Sequence, residues 1–364
     1  MQNSEFQYRK FVKTLLLTLF GIVLSVGVFN FIMDPMWTFS HAHYFNSRQK
    51  GFDERQQKTN LAYFRNFDYN AVLMGSSRAT LLDQNVLNLN DIKAFNYAIS
   101  LSMPQEYKTY IDFAKQRAGK PLEAIFLELD FYGTNKNNKR LKEYKQDRAV
   151  QKAKACCYRW KMLFSFSTLK MSLNNLARAI LGKNFHRSYN RYNVAYTDRY
   201  APESVKKEVE KTTLKNAVGM ENYAYNEKYR TIFEQLKSEN PGSRFIVFTS
   251  PTSSFYLDLL FKNGLWDAYA NWLRDLVAEF GSVYHFMDYN TITLDYPKYF
   301  LDYHHVYPNI QNMMAKKVIG MNDPEIPADF GTVLTKENID NYLKMLKKRI
   351  EKREISITKE EERH

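Results

Sequence analysis

The feature that most constrains this chain is the stretch Thr14 to Met33, TLLLTLFGIVLSVGVFNFIM, which contains no charged residue. At the rise of an α-helix it covers roughly 30 Å, the thickness of a bilayer's hydrocarbon core. Arg9, Lys10 and Lys13 precede it and Asp34 follows. The positive-inside rule therefore expects residues 1–13 in the cytoplasm, a transmembrane helix over 14–33, and the main domain on the extracytoplasmic side of the cell membrane. A cleaved signal peptide shares the basic flank and apolar run. The stretch is longer than a usual signal core, however, and no small-x-small site follows it, so an uncleaved single-pass anchor is expected. A buried core helix accords less well with the aromatic and polar exit Trp37, His41, His43, Tyr44 and Phe45.

Beyond the anchor the chain has the length and apolar content, 45% over 364 residues, to bury a sizeable core. Its formal charge of +13 implies attraction to anionic lipid, polymer or nucleic acid. An outside location argues against nucleic acid, and no nucleic-acid partner is expected. The two cysteines, Cys156 and Cys157, are adjacent, which suits neither a structural disulfide nor zinc. There is no Walker loop, dinucleotide fingerprint or His-Glu-x-x-His, so no cofactor or metal is expected. Residues 34–69, with the charged run Arg48 to Lys58, read as a membrane-proximal lead-in helix or loop without recognisable chemistry.

From residue 70 short apolar runs alternate with helical spacing. Ala71–Met74, Ala94–Ile99, Ala124–Leu129, Phe245–Phe248 and Val283–Met287 read as strands. Tyr107, Ile111 and Ala114 recur at helical spacing, as do Trp266, Tyr269, Ala270, Leu273, Leu276, Val277 and Phe280. Such alternation predicts an α/β fold: a doubly wound parallel sheet over about residues 70–320. Residues 132–243 break the rhythm. They begin with the basic run Asn135 to Lys145, continue with Leu169, Leu173, Leu176, Ala177 and Ile180 at helical spacing up to Gly182, and add helical signals at Ser204 to Leu214 and from Asn226 through Leu236. A helical insertion bordering the carboxyl edge of the sheet is expected there. Residues 321–364 predict an outer basic amphipathic helix, Lys336 to about Arg353, with Ile339, Tyr342, Leu343, Leu346 and Ile350 on one face, and a charged tail from Lys359. Packing on the domain is expected of this helix before membrane docking.

The first strand stops abruptly at Gly75-Ser76-Ser77-Arg78. A glycine at the carboxyl end of a buried strand permits a sharp turn that presents the next side chains at the sheet's edge. Alone, that is also the pattern of an ordinary strand-to-helix loop with a capping serine. Acyl transfer needs a nucleophile, a base within reach and a group that orients the base. Ser77 supplies the first, and Asp302-x-x-His305, just after the fifth strand, the other two. His304 is the rival base; the three-residue spacing to Asp302 favours His305.

Gly75-Ser76-Ser77, Phe95-Asn96-Tyr97-Ala98 after the second strand and Asp302-x-x-His305 together resemble the SGNH (GDSL-type) hydrolase superfamily over about residues 70–320. With one amino-terminal membrane helix and a helical insertion, the chain is similar to the membrane-anchored branch. That branch includes the D-alanyl transfer protein of teichoic acids and the alginate O-acetylation proteins, which work beside membrane-bound O-acyltransferases. The resemblance implies a flavodoxin-like sheet, Ser77 as nucleophile, His305 as base and Asp302 as its orienter. For the oxyanion or substrate it implies the Ser77 backbone N–H, the Asn96–Ala98 segment and Arg78. The sequence departs from the family in lacking a glycine near Asn96 and in carrying Glu128-Leu129-Asp130 where an asparagine would stand. The activity implied is transfer of an acyl group, through a serine ester, to a hydroxyl of an anionic cell-envelope polymer or glycan. The partners implied are the lipid bilayer and a polytopic membrane-bound O-acyltransferase. An esterase or deacylase with the same residues, and a non-catalytic binding scaffold, remain as alternatives.

Overall fold

The computed structural model describes residues 2–89, 91–138, 147–181, 187–217, 220 and 222–361. The strands in chain order are β1 (Gln49–Lys50), β2 (Ala71–Met74), β3 (Ala94–Asn96), β4 (Ala124–Leu129), β5 (Ser188–Tyr189), β6 (Ala195–Tyr196), β7 (Arg244–Thr249), β8 (Ser282–His285) and β9 (Thr332–Thr335). The chain forms two compact units, Met1–Phe67 with Asp147–Tyr196, and Asp68–Gln146 with Thr197–His364.

The second unit holds a sheet of order β3-β2-β4-β7-β8-β9. Its first five strands run parallel, and β9 pairs antiparallel with β8. Every residue of β2 and β4 is buried, as expected of central strands covered on both faces. One face carries the helices Tyr107–Ala118 and Trp266–Phe280, whose buried residues include Tyr110, Ile111 and Ala114 on the first and Tyr269, Ala270, Leu273 and Leu276 on the second. A distinct cluster joins Leu73, Phe126 and Phe248 to Ile310, Met314 and Val318 of the helix Pro308–Val318. The α/β class and the five parallel strands accord with the sequence. The second strand is shorter than expected, ending at Asn96. β9 lies where only a loop was expected, because a four-residue strand has too few positions for its alternation to register.

The carboxyl-terminal helix runs from Ile339 to Glu361 and buries Ile339, Tyr342, Leu343, Leu346 and Ile350. Arg349 pairs with Asp288, and Arg353 with Asp258 at 2.7 Å. Its apolar face thus packs on the sheet unit. In the interval 132–243, the helix Pro202–Ala217 packs on Ser254–Lys262 and Tyr296–Tyr299, which follow the carboxyl ends of β7 and β8. Residues 147–196 belong to the other unit, so the interval is not one insertion in the sheet domain. Most of the basic run 135–145, the expected helix end at Gly182 and residues 362–364 lie outside the described residues.

The first unit contains the helix Gln2–Met33, long and apolar enough to cross a membrane, with Leu16, Phe20 and Ile22 exposed along it. The expected lead-in is folded around polar contacts. Arg191, almost fully buried, pairs with Asp34 and donates to Gln49 Oε1 at 3.0 Å and Phe39 O at 2.8 Å. On the helix Glu54–Phe64, Gln56, Gln57, Lys58, Thr59 and Asn60 are all buried. These contacts, and the antiparallel sheet β1-β5-β6, explain why residues 147–196 join the amino-terminal part.

Burial pulls the Lys58 amine down from 10.5 to about 7, against an upward pull from Glu54, and Arg187 adds to the fall. The folded state therefore binds fewer protons than the unfolded one between pH 7 and 10.5, so this residue's destabilisation is full below pH 7 and fades as pH rises through that window. Lys58→Met should raise Tm at pH 7 by an amount that shrinks toward pH 10; parallel Tm-against-pH curves for the two proteins would contradict it.

Candidate active site

The site is assembled at the carboxyl ends of β2 and β4. Their register sets Met74 beside Leu127, which brings the following pair, Gly75 and Glu128, together. A Cβ at position 75 would lie 2.6 Å from Glu128 Oε2 and 2.8 Å from Ala79 Cβ. Only glycine allows this approach. Beyond it the Ser76 N–H donates to Glu128 Oε2 at 2.9 Å, and the Arg78 N–H to Ser76 Oγ at 3.3 Å. The Thr80 hydroxyl closes the turn by donating to Ser77 O at 2.6 Å. Ser76 is thereby the spacer, and Ser77 carries its hydroxyl on a turn held from below and behind. The Ser77 backbone N–H makes no hydrogen bond among the described residues.

Asp302 and His305 lie on a loop closed by the bridge between Phe300 and Val306, with the Leu301 N–H donating to His305 O at 2.7 Å. His305 Nε2 is 2.7 Å from Ser77 Oγ, and His305 Nδ1 is 2.7 Å from Asp302 Oδ2. The other carboxylate oxygen, Oδ1, accepts the N–H groups of His304 at 3.0 Å and His305 at 2.9 Å. Burial alone would raise the Asp302 carboxyl, but the imidazoles of His305 and His304 and these hydrogen bonds hold it well below the usual carboxylate range. Residues 228 positions apart in sequence thus form one continuous hydrogen-bonded series, Ser77–His305–Asp302. The rival His304 lies with Nδ1 3.6 Å from Asp302 Oδ1, beyond hydrogen-bond length. Asp302, His304 and His305 bring three ligand atoms within 4.8 Å of one another, a spacing that a metal ion would accept. Both His305 nitrogens already serve the Ser77–Asp302 series, so ligation there would compete with it.

Three expectations change. Asn96 Nδ2 donates to Ala79 O at 2.9 Å and Leu82 O at 2.8 Å, while its Oδ1 accepts the Ala98 N–H at 3.0 Å. The Tyr97 and Ile99 N–H groups donate to Leu73 O and Gly75 O. Asn96 and Ala98 are therefore structural clamps between β3 and the Gly75–Ser77 turn, with their donors turned inward and not toward an oxyanion as expected. Arg78 is only 5% exposed and pairs with Asp130. Burial would lower its pKa, but Asp130 and then Glu128 more than offset this, so the guanidinium stays charged. Its guanidinium is therefore engaged by Asp130 in a nearly dry environment.

Glu128 was not singled out from the sequence, although a glutamate in the apolar run AIFLEL is a visible anomaly. It is fully buried, and burial first, then Asp130, push its carboxyl well above the usual range, with Arg78 pulling the other way. This carboxyl thus sits beneath the Gly75–Ser77 turn, where burial disfavours its charged form. Tyr132, Tyr256 and Tyr303 stand near enough to Arg78 to feel its charge, and the Tyr256 and Tyr303 rings lie 5.1 Å apart.

Chemically, the arrangement offers an imidazole poised to take the Ser77 proton, a carboxylate that fixes the imidazole's orientation and stabilises its protonated form, and one backbone donor for a developing oxyanion. Glu128→Gln, which keeps an acceptor for the Ser76 N–H, should leave the rate of fluorophosphonate labelling at Ser77 close to that of the parent. Glu128→Leu should lower it about tenfold or more and cost about 1–3 kcal/mol of stability, because a buried N–H loses its partner. Equal labelling of both variants would show that the carboxyl does not position the turn. No protein-family model matches this sequence, and no curated protein matches it at a significant level.

Proposed function

We propose that this protein is a membrane-anchored serine O-acyltransferase of SGNH type, acting on the extracytoplasmic side of the membrane. The observation that carries the proposal is the pair of 2.7 Å contacts through which His305 joins Ser77 to Asp302. Ser77 Oγ attacks the carbonyl carbon of an activated acyl donor while His305 Nε2 takes the hydroxyl proton. As the tetrahedral adduct collapses, the donor's leaving group departs with that proton and the acyl group remains on Ser77 as an ester. A hydroxyl of the acceptor then attacks the ester, His305 again takes and returns the proton, and Ser77 is regenerated. Asp302 stays ionised throughout, since its pKa is held low.

Transfer is favoured over hydrolysis by three features taken together: the membrane-length helix, the formal charge of +13, and the resemblance to proteins that work with a polytopic acyltransferase. The charge suits an anionic envelope polymer as acceptor. Arg9, Lys10 and Lys13 orient the anchor with its amino terminus in the cytoplasm. One observation favours a non-catalytic scaffold instead: the backbone donors of the Asn96–Ala98 segment are committed within the fold, so of the expected oxyanion donors only the Ser77 N–H is uncommitted among the described residues.

The test is turnover of a chromogenic acyl ester by the full chain in vesicles, with and without a polyol-phosphate acceptor. A transferase accelerates ester cleavage when acceptor is added and forms acylated acceptor, and Ser77→Ala or His305→Ala lowers both by about a thousandfold or more. Cleavage indifferent to acceptor would identify an esterase, and no cleavage dependent on Ser77 would favour the scaffold.

A further inference from the structure

The helix Phe166–Leu181 is inverted relative to what water requires. Its buried residues are Thr168, Ser172 and Asn175, all polar. Four of its large apolar residues are exposed, Phe166 at 80%, Leu173 at 52%, Ile180 at 66% and Leu181 at 63%, while Leu169, Met171 and Leu176 are half-buried. Phe166, Leu173 and Ile180 are seven residues apart in turn, so they share one face. The Leu173 and Ile180 part of the stripe that periodicity alone would assign to a core is thus exposed, with Leu169 and Leu176 half-buried beside it. The inward polar side is specifically engaged: Ser172 Oγ donates to Asn30 Oδ1 at 2.9 Å, and Asn175 Oδ1 accepts the Lys50 N–H at 3.3 Å. The preceding helix, Tyr158–Leu163, continues the apolar surface with Trp160, 59% exposed, and Phe164 follows it at 50%. A contiguous apolar surface of this kind marks a contact with something other than water.

Its position within this unit identifies the occupant. Asn30 Nδ2, on the apolar helix, donates to Leu163 O at 2.7 Å, and a Cβ at Gly27 would lie 2.5 Å from the Phe164 ring. Gly27 precedes the end of that helix at Met33 by six residues, about 9 Å along its axis. If Thr14–Met33 crosses the hydrocarbon core, Phe164 and the start of the following helix stand below the plane where the anchor leaves it. The exposed cations Lys161 and Lys170 have stems long enough to reach headgroups from such a depth.

We propose that Tyr158–Leu181 is a second membrane element, a helical pair immersed in the leaflet from which the carboxyl end of the anchor emerges, with lipid acyl chains covering Trp160, Phe164, Phe166, Leu173 and Ile180. The proposal rests on the anchor spanning the bilayer, and its test separates the two. In the full chain with Cys156→Ser and Cys157→Ser, single cysteines replace Phe166, Leu173, Ile180, Val23 and Lys262 in turn. Each is labelled with an environment-sensitive fluorophore in phosphatidylglycerol-containing vesicles. Labels at 166, 173 and 180 should lose emission to shallow doxyl-lipid quenchers and resist aqueous iodide. The label at 23 should respond to deep quenchers, and that at 262 to iodide alone. Iodide quenching at 166, 173 and 180 alongside deep quenching at 23 overturns the inference while leaving the anchor intact. Protection at those three positions from both quenchers also overturns it, since a protein surface would then cover the patch. A label at 23 untouched by deep quenchers removes the spanning anchor and the inference with it.

Discussion

The site depends on the parallel pairing of β2 with β4, in the register that lays Glu128 against Gly75. A side chain at position 75 would collide with the carboxyl and with Ala79, and loss of the carboxyl would leave the Ser76 N–H buried without its acceptor. The Gly75–Ser77 turn is thus fixed by the sheet rather than by the loop alone. From that turn Ser77 projects toward His305, whose own loop is closed by the Phe300–Val306 bridge. Two short segments, each braced by backbone hydrogen bonds, meet through one imidazole. Such bracing is what a group needs to act repeatedly from one geometry.

Three carboxyl groups crowd this region, and each is settled by a different physical effect. Burial pushes the Glu128 carboxyl well above the usual range while its Oε2 accepts the Ser76 N–H and so supports the turn. Asp130 remains beside the site because Arg78 pairs with it in a nearly dry environment. Breaking such a pair by removing one partner is far more costly than the pair's net contribution to stability. The Asp302 carboxyl is held well below the usual carboxylate range by imidazoles and backbone N–H groups, and under the proposed function its anion would stabilise a protonated His305. Against that order, the oxyanion side is sparse: the Asn96–Ala98 donors bind the turn and its neighbours.

Much of the sheet unit was legible because central parallel strands are buried on both faces and read as continuous apolar runs, as Ala71–Met74 and Ala124–Leu129 do. That Ser77, Asp302 and His305 would meet was legible because their residue types and the Asp-x-x-His spacing suggested one arrangement, and their side chains are in hydrogen-bond contact. Glu128 was hidden in its apolar strand, since sequence gives no sign of the register that places it under Gly75. Asn96 misled because an amide's donors can turn inward as readily as outward. The amino-terminal unit was the least legible. Arg191, Gln49 and Gln57 form a buried polar core, and composition assigns such residues to the surface. The stripe through Leu173 and Ile180 was correctly read as one helical face, but periodicity does not distinguish a face turned to protein from one turned to another apolar medium.

The most direct test of the central claim is to mix the full chain with an activated acyl ester, quench in acid within the first turnover, and locate the added mass by peptide mapping. The account predicts one acyl group on Ser77, absent from Ser77→Ala and strongly reduced in His305→Ala. Ester turnover with no acyl group on Ser77, or an adduct that persists when Ser77 is replaced, would contradict it.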